Sequence, residues 1–285
     1  MIDLHVHSTA SDGTFTPSDV AEFGASFSVM ALTDHDNCDG AEEFLASAKR
    51  FSNGVRLSGV ELSIEPGEGF ARFHLLGLGV NPHDPVFASL LAKIREKRDE
   101  RNTEIIAKFN AIGIDISVDE LRRYAKGPVI ARPHFANALI ARGIVKDKYE
   151  AFEKYLVKGA PYDCYVSRWR PEQSVAFDAI HHAGGVTVMA HPKYWIRKGE
   201  AFRLPREELE RLKSIGLDGL EAVYQANTSE ETVESLVAAK SVGLCVTAGS
   251  DFHGANKPDI SLGMEVDDER RFLEPFFECL SSRSL

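Results

Sequence analysis

The sequence Gly-Val-Thr-Val-Met-Ala at residues 185–190 is a short apolar, β-branched run with the length of a buried strand. A helical pattern follows at residues 206–215, and a second strand pattern at 217–224. A helix at 229–242 and a strand at 244–248 complete the alternation. Neighbouring parallel strands need a crossover, usually a helix, so this alternation predicts an α/β fold with a parallel sheet.

The N-terminal part of the chain shows a similar pattern. Helices are predicted from Pro17, with Thr16 as N-cap, and over residues 40–51. Four further strands are expected at residues 2–7, 29–33, 55–64 and 70–80. With the three later strands this gives seven, a number that a closed or nearly closed barrel explains best.

Residues 84–165 break this alternation. They form helical patterns without a convincing strand, and Ser117 with Glu120 forms a capping-box signature. We therefore expect a barrel domain formed by residues 1–83 and 166–285, with a helical subdomain inserted at 84–165.

Composition narrows the functional classes. The 285-residue chain has a formal net charge of −10, which argues against a broad grip on duplex DNA. It has no apolar run long enough for a membrane span, and its four cysteines form no CxxC pair. We expect a cytoplasmic protein that does not bind membranes, and the sequence leaves the oligomeric state open.

Metal-ligand residue types occur at or near the ends of nearly all the predicted strands. Side chains alternate along a strand, so His5 and His7 leave the same face one pleat apart. Alone, this pair is equally well explained as two histidines on a polar strand face. The other candidates at strand ends are His35, Glu61, His74, His191, Asp251 and His253. Barrel enzymes assemble their active sites at the carboxyl ends of the strands, which favours a functional centre.

Nitrogen and carboxylate ligands without cysteine suit Zn, Mn or Fe(II). The candidates exceed the needs of one ion, so two to three divalent ions are expected. A carboxylate such as Glu61 can bridge ions, and a hydroxide held between ions is a nucleophile at neutral pH.

Five motifs, in this order, resemble the PHP (polymerase and histidinol phosphatase) family. They are the segments at residues 5–7 (His-Val-His), 33–35 (Thr-Asp-His), 59–61 (Gly-Val-Glu), 190–192 (Ala-His-Pro) and 249–253 (Gly-Ser-Asp-Phe-His). The resemblance implies a distorted (β/α)7 TIM-like barrel, a trinuclear metal site and phosphoester hydrolysis by a metal-bridging hydroxide. Manganese is the expected metal, with Fe or Zn as alternatives.

The resemblance also implies three sets of ligands: His5, His7, Glu61 and Asp251 for one ion, Glu61, His74 and His191 for a second, and Asp12, His35 and His253 for a third. Glu61, Asp251 and His191 would have catalytic roles as ligands that position the hydroxide. Asp12 could instead be only a turn residue of Ser-Asp-Gly. Asp34 is expected to orient a neighbouring ligand.

Within the family, residues 3–13 and 131–136 resemble a bacterial branch that acts on nucleoside 3′,5′-bisphosphates and on the 5′ ends of short RNAs. Both substrates release a nucleoside 5′-monophosphate when the ester at the 3′ oxygen is cleaved. Arg132 and His134 flank Pro133 at a predicted helix start and are expected to contact phosphate. His134 could alternatively complete a metal shell. Lys193 is a further phosphate candidate, with Arg197 and Lys198 as weaker ones.

Three other functions remain as alternatives. An amidohydrolase on a related metal barrel would cleave C–N bonds, but many such enzymes place a carboxylated lysine on the fourth strand, where this chain has His74. A different phosphomonoesterase, such as a histidinol phosphatase, would share the metal site. A non-catalytic module would retain only the barrel.

Overall fold

The computed structural model describes residues 1–51, 53–67, 72–125, 127, 129–195 and 202–283. The chain forms two compact units, one of Met1–Leu91 with Arg170–Leu285 and the other of Ala92–Trp169. The insertion predicted at residues 84–165 overlaps the second unit, and its role as a separate subdomain stays a prediction.

The first unit is a seven-stranded sheet in which neighbours in sequence are neighbours in space. Its strands are β1 (Ile2–Asp3), β2 (Val29–Leu32), β3 (Val55–Ser63), β4 (His74–Leu78), β5 (Val186–Ala190), β6 (Gly219–Tyr224) and β7 (Cys245–Gly249). The predicted number of strands and the α/β barrel class are confirmed.

The prediction of a wholly parallel sheet was wrong at β4. This strand is antiparallel to both β3 and β5. The described residues between β3 and β4, 64–67 and 72–73, include no helix, and β4 runs back in the opposite direction. Ser63 at the end of β3 therefore pairs with His74 at the start of β4.

The chain segment after β1 closes the sheet against β7. The Leu4 amide donates to the Ala248 carbonyl at 2.9 Å, and the His7 amide donates to the Phe252 carbonyl at 3.0 Å. The Asp251 amide donates to the His5 carbonyl at 2.9 Å. The predicted strand at residues 2–7 is thus regular only at Ile2–Asp3, and its continuation joins the first and last strands into a nearly closed barrel.

Ten α-helices occur among the described residues. They are α1 (Pro17–Phe23), α2 (Ala41–Phe51), α3 (Pro85–Ala111), α4 (Val118–Arg122), α5 (Arg132–Ala141), α6 (Lys148–Ala151), α7 (Gln173–His182), α8 (Arg206–Ser214), α9 (Ser229–Val242) and α10 (Glu269–Arg283). Thr16 caps α1 as predicted, accepting a hydrogen bond from the Asp19 amide at 3.1 Å. Helix α10 was not predicted. None of the described helices has the length and apolar character to span a membrane.

The strands of the first unit bury their apolar side chains. One cluster contains Ile2, Leu76, Val188 and Ala248 from four strands, and Phe276 of α10 packs in the same cluster. Burial of such side chains contributes roughly 1.5–3 kcal/mol each. This apolar part supports the polar residues at the strand ends.

The second unit has its own apolar core. Phe109 of α3 packs against Phe135 of α5 with ring centroids 6.0 Å apart, and against Tyr155 at 5.7 Å. Helix α5 begins with Arg132-Pro133, as predicted, because the fixed φ of proline suits the first helical turn.

Candidate metal centre

Three groups of side chains bring potential metal-ligand atoms within 4.8 Å of one another. The first group is His5, His7, Glu61 and Asp251, and the second is His7, Asp12, His35 and His253. The third is His35, Glu61 and His74. Eight of the nine predicted ligands therefore lie in overlapping groups, and Glu61, His7 and His35 each belong to two of them.

The barrel explains why residues distant in sequence converge. His5 and His7 follow β1, His35 follows β2, and Asp251 and His253 follow β7. His74 reaches the same end because β4 is antiparallel, so that its first residue lies beside the last residue of β3. The prediction that His74 lies near the carboxyl end of its strand was therefore wrong, because His74 is the first residue of the antiparallel strand β4.

The first group is fully buried, and its nitrogen and oxygen atoms face one another at short distances. The Nε2 atoms of His5 and His7 face each other at 3.1 Å. Glu61 Oε2 lies 3.4 Å from His5 Nε2, 3.2 Å from His7 Nε2 and 2.9 Å from His35 Nδ1, so three imidazole nitrogens converge on this buried oxygen. Divalent cations between these atoms would accept all the converging lone pairs, so the residues fit a metal centre.

The charges of the group are strongly coupled. Burial disfavours the imidazolium form of His5, but Glu221, Glu61 and Asp251 outweigh it and raise its pKa well above the ordinary value. Burial likewise opposes the charge on His7, but hydrogen bonds with Asp251 and Glu61 raise its pKa to about 9. Burial also opposes ionisation of Glu61, yet the surrounding imidazoles hold its pKa well below the usual range. Two imidazolium N–H groups cannot both point into the short gap between His5 and His7, whereas cations can take the place of these protons.

The second group lies at the turn predicted to hold Asp12. Asp12 Oδ1 is 3.1 Å from His253 Nε2, and Asp12 Oδ2 is 3.9 Å from His35 Nε2. Gly13 permits this turn, because a Cβ there would lie 2.5 Å from the His7 carbonyl oxygen. Asp12 thus lies among potential ligands as well as in a turn.

His191 is placed differently from the other predicted ligands. Its Nε2 lies 2.9 Å from Glu61 Oε1, but the compact group around Glu61 and His74 contains His35 rather than His191. His191 Nδ1 is buried without a hydrogen-bond partner. The structure therefore brings His191 to Glu61, and its role as a ligand stays a prediction.

Sequence reasoning missed a carboxylate behind the ligands. Glu221 on β6 is fully buried, its Oε1 is 2.9 Å from His5 Nδ1, and its Oε2 accepts the His191 amide at 2.7 Å. A carboxylate can only accept, so His5 donates from Nδ1 and turns the lone pair of Nε2 towards the first group. The available signal was an acidic residue in the otherwise apolar run Leu220-Glu221-Ala222.

Two further aspartates brace the loops that carry ligands. Asp34 accepts hydrogen bonds from the Ser8 amide at 2.8 Å and from the Ser11 hydroxyl at 2.6 Å, so it holds the segment after β1. Asp3 accepts from the Ser250 amide at 3.0 Å and the Ser250 hydroxyl at 2.6 Å. Burial raises the pKa of Asp3 to about 6 despite these hydrogen bonds.

The predicted phosphate contacts have partners within their own units. Arg132, in the second unit, donates to the Leu156 carbonyl at 3.1 Å, and His134 Nδ1 accepts the Ala131 amide at 3.0 Å. In the first unit, Lys193 Nζ donates to Glu231 Oε2 at 2.7 Å. Arg197 and Lys198 lie outside the described residues.

A cavity of about 350 Å³ opens beside the first and third groups. Besides potential ligands, its lining includes four side chains that the sequence did not suggest: Arg72, Phe73, Tyr194 and Lys257. The cavity gives a small polar molecule access to Glu61 and Asp251.

An α/β barrel with histidines and carboxylates converging beside a cavity at the carboxyl ends of its strands defines a metal-dependent hydrolase class. The model of the PHP domain matches residues 3–158. The chain belongs to the PHP family, as its motifs predicted.

Two curated relatives span most of this chain. A 3′,5′-nucleoside bisphosphate phosphatase of Chromobacterium violaceum is 35% identical over 100% of this chain and 98% of its own length. A 5′-3′ exoribonuclease of Haemophilus influenzae is 32% identical over 88% of this chain and 89% of its own length.

Two solved structures share the fold. A putative metal-dependent phosphoesterase of Bifidobacterium adolescentis has a TM-score of 0.78 and 28% identity, covering 96% of each chain. A Chromobacterium violaceum protein described as an amidohydrolase, with bound sulfate and no metal, has a TM-score of 0.77 and 33% identity. It covers 99% of this chain and 96% of that one.

Proposed function

We propose that this chain is a metal-dependent phosphoesterase that cleaves the 3′-phosphoester of 5′-phosphorylated nucleotides. Nucleoside 3′,5′-bisphosphate would give nucleoside 5′-monophosphate and phosphate. The observation that carries the proposal is the convergence of three ligand groups, two of which share Glu61, whose buried Oε2 faces three imidazole nitrogens.

Two to three divalent ions fit the ligand sets, and we propose a trinuclear centre that uses manganese, with iron or zinc as substitutes. When bound, such ions supply a hydroxide at neutral pH and offset charge on the phosphoryl group. The chain's own residues fix the geometry: Glu61, Asp251 and His191 hold the reacting centre in place. Glu221 fixes the orientation of His5.

The relatives support the choice of a nucleotide. One is named a 3′,5′-nucleoside bisphosphate phosphatase and another a 5′-3′ exoribonuclease. Both activities cleave a phosphoester, so short 5′-phosphorylated RNA is the second candidate substrate. We assign Arg132, His134 and Lys193 to substrate phosphate as proposals. The four free cysteines support a cytoplasmic location, where thiols stay reduced.

The amidohydrolase alternative has one comparison in its favour, the description of the similar Chromobacterium violaceum structure. The fourth strand speaks against the carboxylated-lysine type, because β4 (His74–Leu78) contains no lysine. On this strand the potential metal ligand is His74.

Steady-state kinetics of the metal-reconstituted protein test the proposal. Adenosine 3′,5′-bisphosphate, 5′-phosphorylated oligoribonucleotides and histidinol phosphate are compared at equal metal loading. We expect the highest kcat/KM on the bisphosphate or the RNA. A preference for histidinol phosphate, or hydrolysis of amides without phosphate release, would refute the nucleotide assignment.

A further inference from the structure

Tyr194 places an exposed aromatic ring in the cavity beside the candidate metal centre. Among the described residues, the aromatic side chains other than histidine that line this cavity are Phe73 and Tyr194. Phe73 is buried, whereas Tyr194 is 56% exposed. A single exposed ring on a protein surface needs no explanation. A ring that lines a cavity next to potential metal ligands, however, can contact the molecule that the cavity binds.

The structure around Tyr194 holds its ring in place. Tyr194 belongs to the short helical turn Pro192–Trp195 that follows β5, and its amide donates to the His191 carbonyl at 3.0 Å. The ring meets the His191 ring at a centroid distance of 5.3 Å and an angle of 65°, and the Tyr224 ring at 6.1 Å and 73°. Such edge-to-face contacts favour one ring orientation. A ring that is oriented in advance loses little conformational freedom when a ligand packs on it.

The position of Tyr194 suits a nucleoside whose 3′-phosphate lies among the potential ligands. His191 Nε2 lies 2.9 Å from Glu61 Oε1, so the imidazole ring of His191 lies between Glu61 and the ring of Tyr194. In a nucleoside 3′-phosphate, the ribose ring lies between the phosphate and the base. The two separations are similar, each being about the width of one five-membered ring. The base of such a substrate is therefore within reach of Tyr194.

We propose that Tyr194 binds the nucleobase of the substrate by stacking, and that this contact determines the preference for nucleotides over other phosphoesters. The inference rests on the proposed phosphoesterase function. Every nucleobase has a π face, so stacking on an aromatic side chain tolerates any base. This tolerance suits an enzyme that acts on nucleoside bisphosphates with different bases or on RNA ends of different sequence.

A ring that only covers His191 would behave differently. Tyr194 contacts the His191 ring, so removal of a mere cover would expose this candidate ligand and slow the hydrolysis of every phosphoester alike. Removal of a stacking ring instead weakens the binding of substrates that carry a base and leaves base-free substrates unaffected. The ratio of kcat/KM between a nucleotide and its base-free analogue therefore separates the two roles.

The experiment compares the wild type with Tyr194→Ala, Tyr194→Leu and Tyr194→Phe on adenosine 3′,5′-bisphosphate, cytidine 3′,5′-bisphosphate and base-free 1,2-dideoxyribose 3,5-bisphosphate. Loss of one stacked base lowers affinity roughly 5- to 150-fold. We expect Tyr194→Ala to lower kcat/KM by that factor on the adenosine substrate, by less on the smaller cytosine ring, and not on the base-free substrate. Phenylalanine keeps the ring and should retain the wild-type preference. Leucine covers His191 without a planar face and should lose it.

Phe23→Ala is the matched control. Phe23 is 51% exposed, and its ring meets the Phe15 ring edge-on at a centroid distance of 5.0 Å. It lies at the end of α1 and is not part of the described cavity lining. This variant should leave kcat/KM unchanged on all three substrates. Metal content by mass spectrometry and melting temperature are measured for every variant, and Tyr194→Ala should retain the wild-type metal content.

The two levels of inference fail separately. Equal losses in Tyr194→Ala with and without a base, or undiminished activity of this variant on the adenosine substrate, would overturn the assignment of Tyr194 and leave the proposed function in place. A wild type that hydrolyses 4-nitrophenyl phosphate but no bisphosphate would overturn the proposed substrate. Inhibition of that hydrolysis by adenosine 5′-monophosphate, compared with ribose 5-phosphate, then still tests Tyr194: a base-dependent advantage that Tyr194→Ala removes supports the stacking role, and equal inhibition of both proteins refutes it.

Discussion

Replacing Glu221 by glutamine should weaken metal binding without removing a ligand. The carboxylate accepts two hydrogen bonds at once, from His5 Nδ1 at 2.9 Å and from the His191 amide at 2.7 Å. An amide has one accepting oxygen, so in either orientation its NH2 group faces one of these donors. One hydrogen bond is lost, and a donor is left facing a donor in a fully buried position.

The loss can be estimated from these contacts. A hydrogen bond to a charged acceptor contributes about 1.5–3 kcal/mol. At about 1.4 kcal/mol per factor of ten, Glu221→Gln should weaken metal affinity or kcat/KM by roughly 10- to 150-fold. The range overlaps the 10- to 100-fold effects typical of groups that orient metal-bound histidines.

Competition of each variant with a chromogenic chelator measures the metal affinity, and kcat/KM is measured at saturating metal. Glu208→Gln is the matched control, because Glu208 is also buried but pairs with Arg211 on α8. Unchanged metal affinity and activity in Glu221→Gln, with normal folding by circular dichroism, would refute the orienting role of Glu221.

The remaining predictions concern the ligands, the substrate contact and stability. His7→Ala or Asp251→Ala should abolish turnover and lower metal content, as measured by mass spectrometry, and near-normal activity in both would remove the metal centre from the mechanism. Arg132→Ala should lower kcat/KM about 10- to 100-fold with metal content preserved, as expected for a lost charged hydrogen bond to phosphate, whereas loss of metal would contradict its assigned role. Burial opposes the charge on Asp218, yet hydrogen bonds from His181, the Thr187 amide and other groups lower its pKa to about 2. A lowered folded-state pKa stabilises the protein above the unfolded value near 4, and this contribution is lost as pH falls towards 2. Asp218→Asn should therefore reduce the free energy of unfolding by about 2 kcal/mol at pH 7 and flatten its acid dependence in urea titrations; an unchanged acid profile would contradict this.

Local patterns predicted most of the barrel. Strand and helix periodicities are short-range properties, and caps such as Thr16 identify helix starts from a few residues. The antiparallel direction of β4 was missed because the expectation of alternation outweighed the turn residues Pro66 and Gly67 between β3 and β4. Helix α10 was missed although it buries Leu273 and Phe276.

The residues of the candidate site likewise differ in how far local sequence predicts them. Histidines and aspartates at strand ends have sequence signatures, so the potential ligands could be predicted in advance. Glu221 has only a weak local cue, because its role depends on a contact with His5 that only the closed barrel creates. A lone acidic residue in an apolar strand is the one local cue that merits attention in related sequences.

The pairing of the first strand with the last has a consequence for synthesis of the protein. The second ligand group needs His7 from near the start of the chain and His253 from near its end. A chain emerging from the ribosome cannot complete that group until β7 has left the exit tunnel. Metal can therefore be captured fully only after β7 has been synthesised, and the captured ions would then favour the closed form over any partly folded one by mass action.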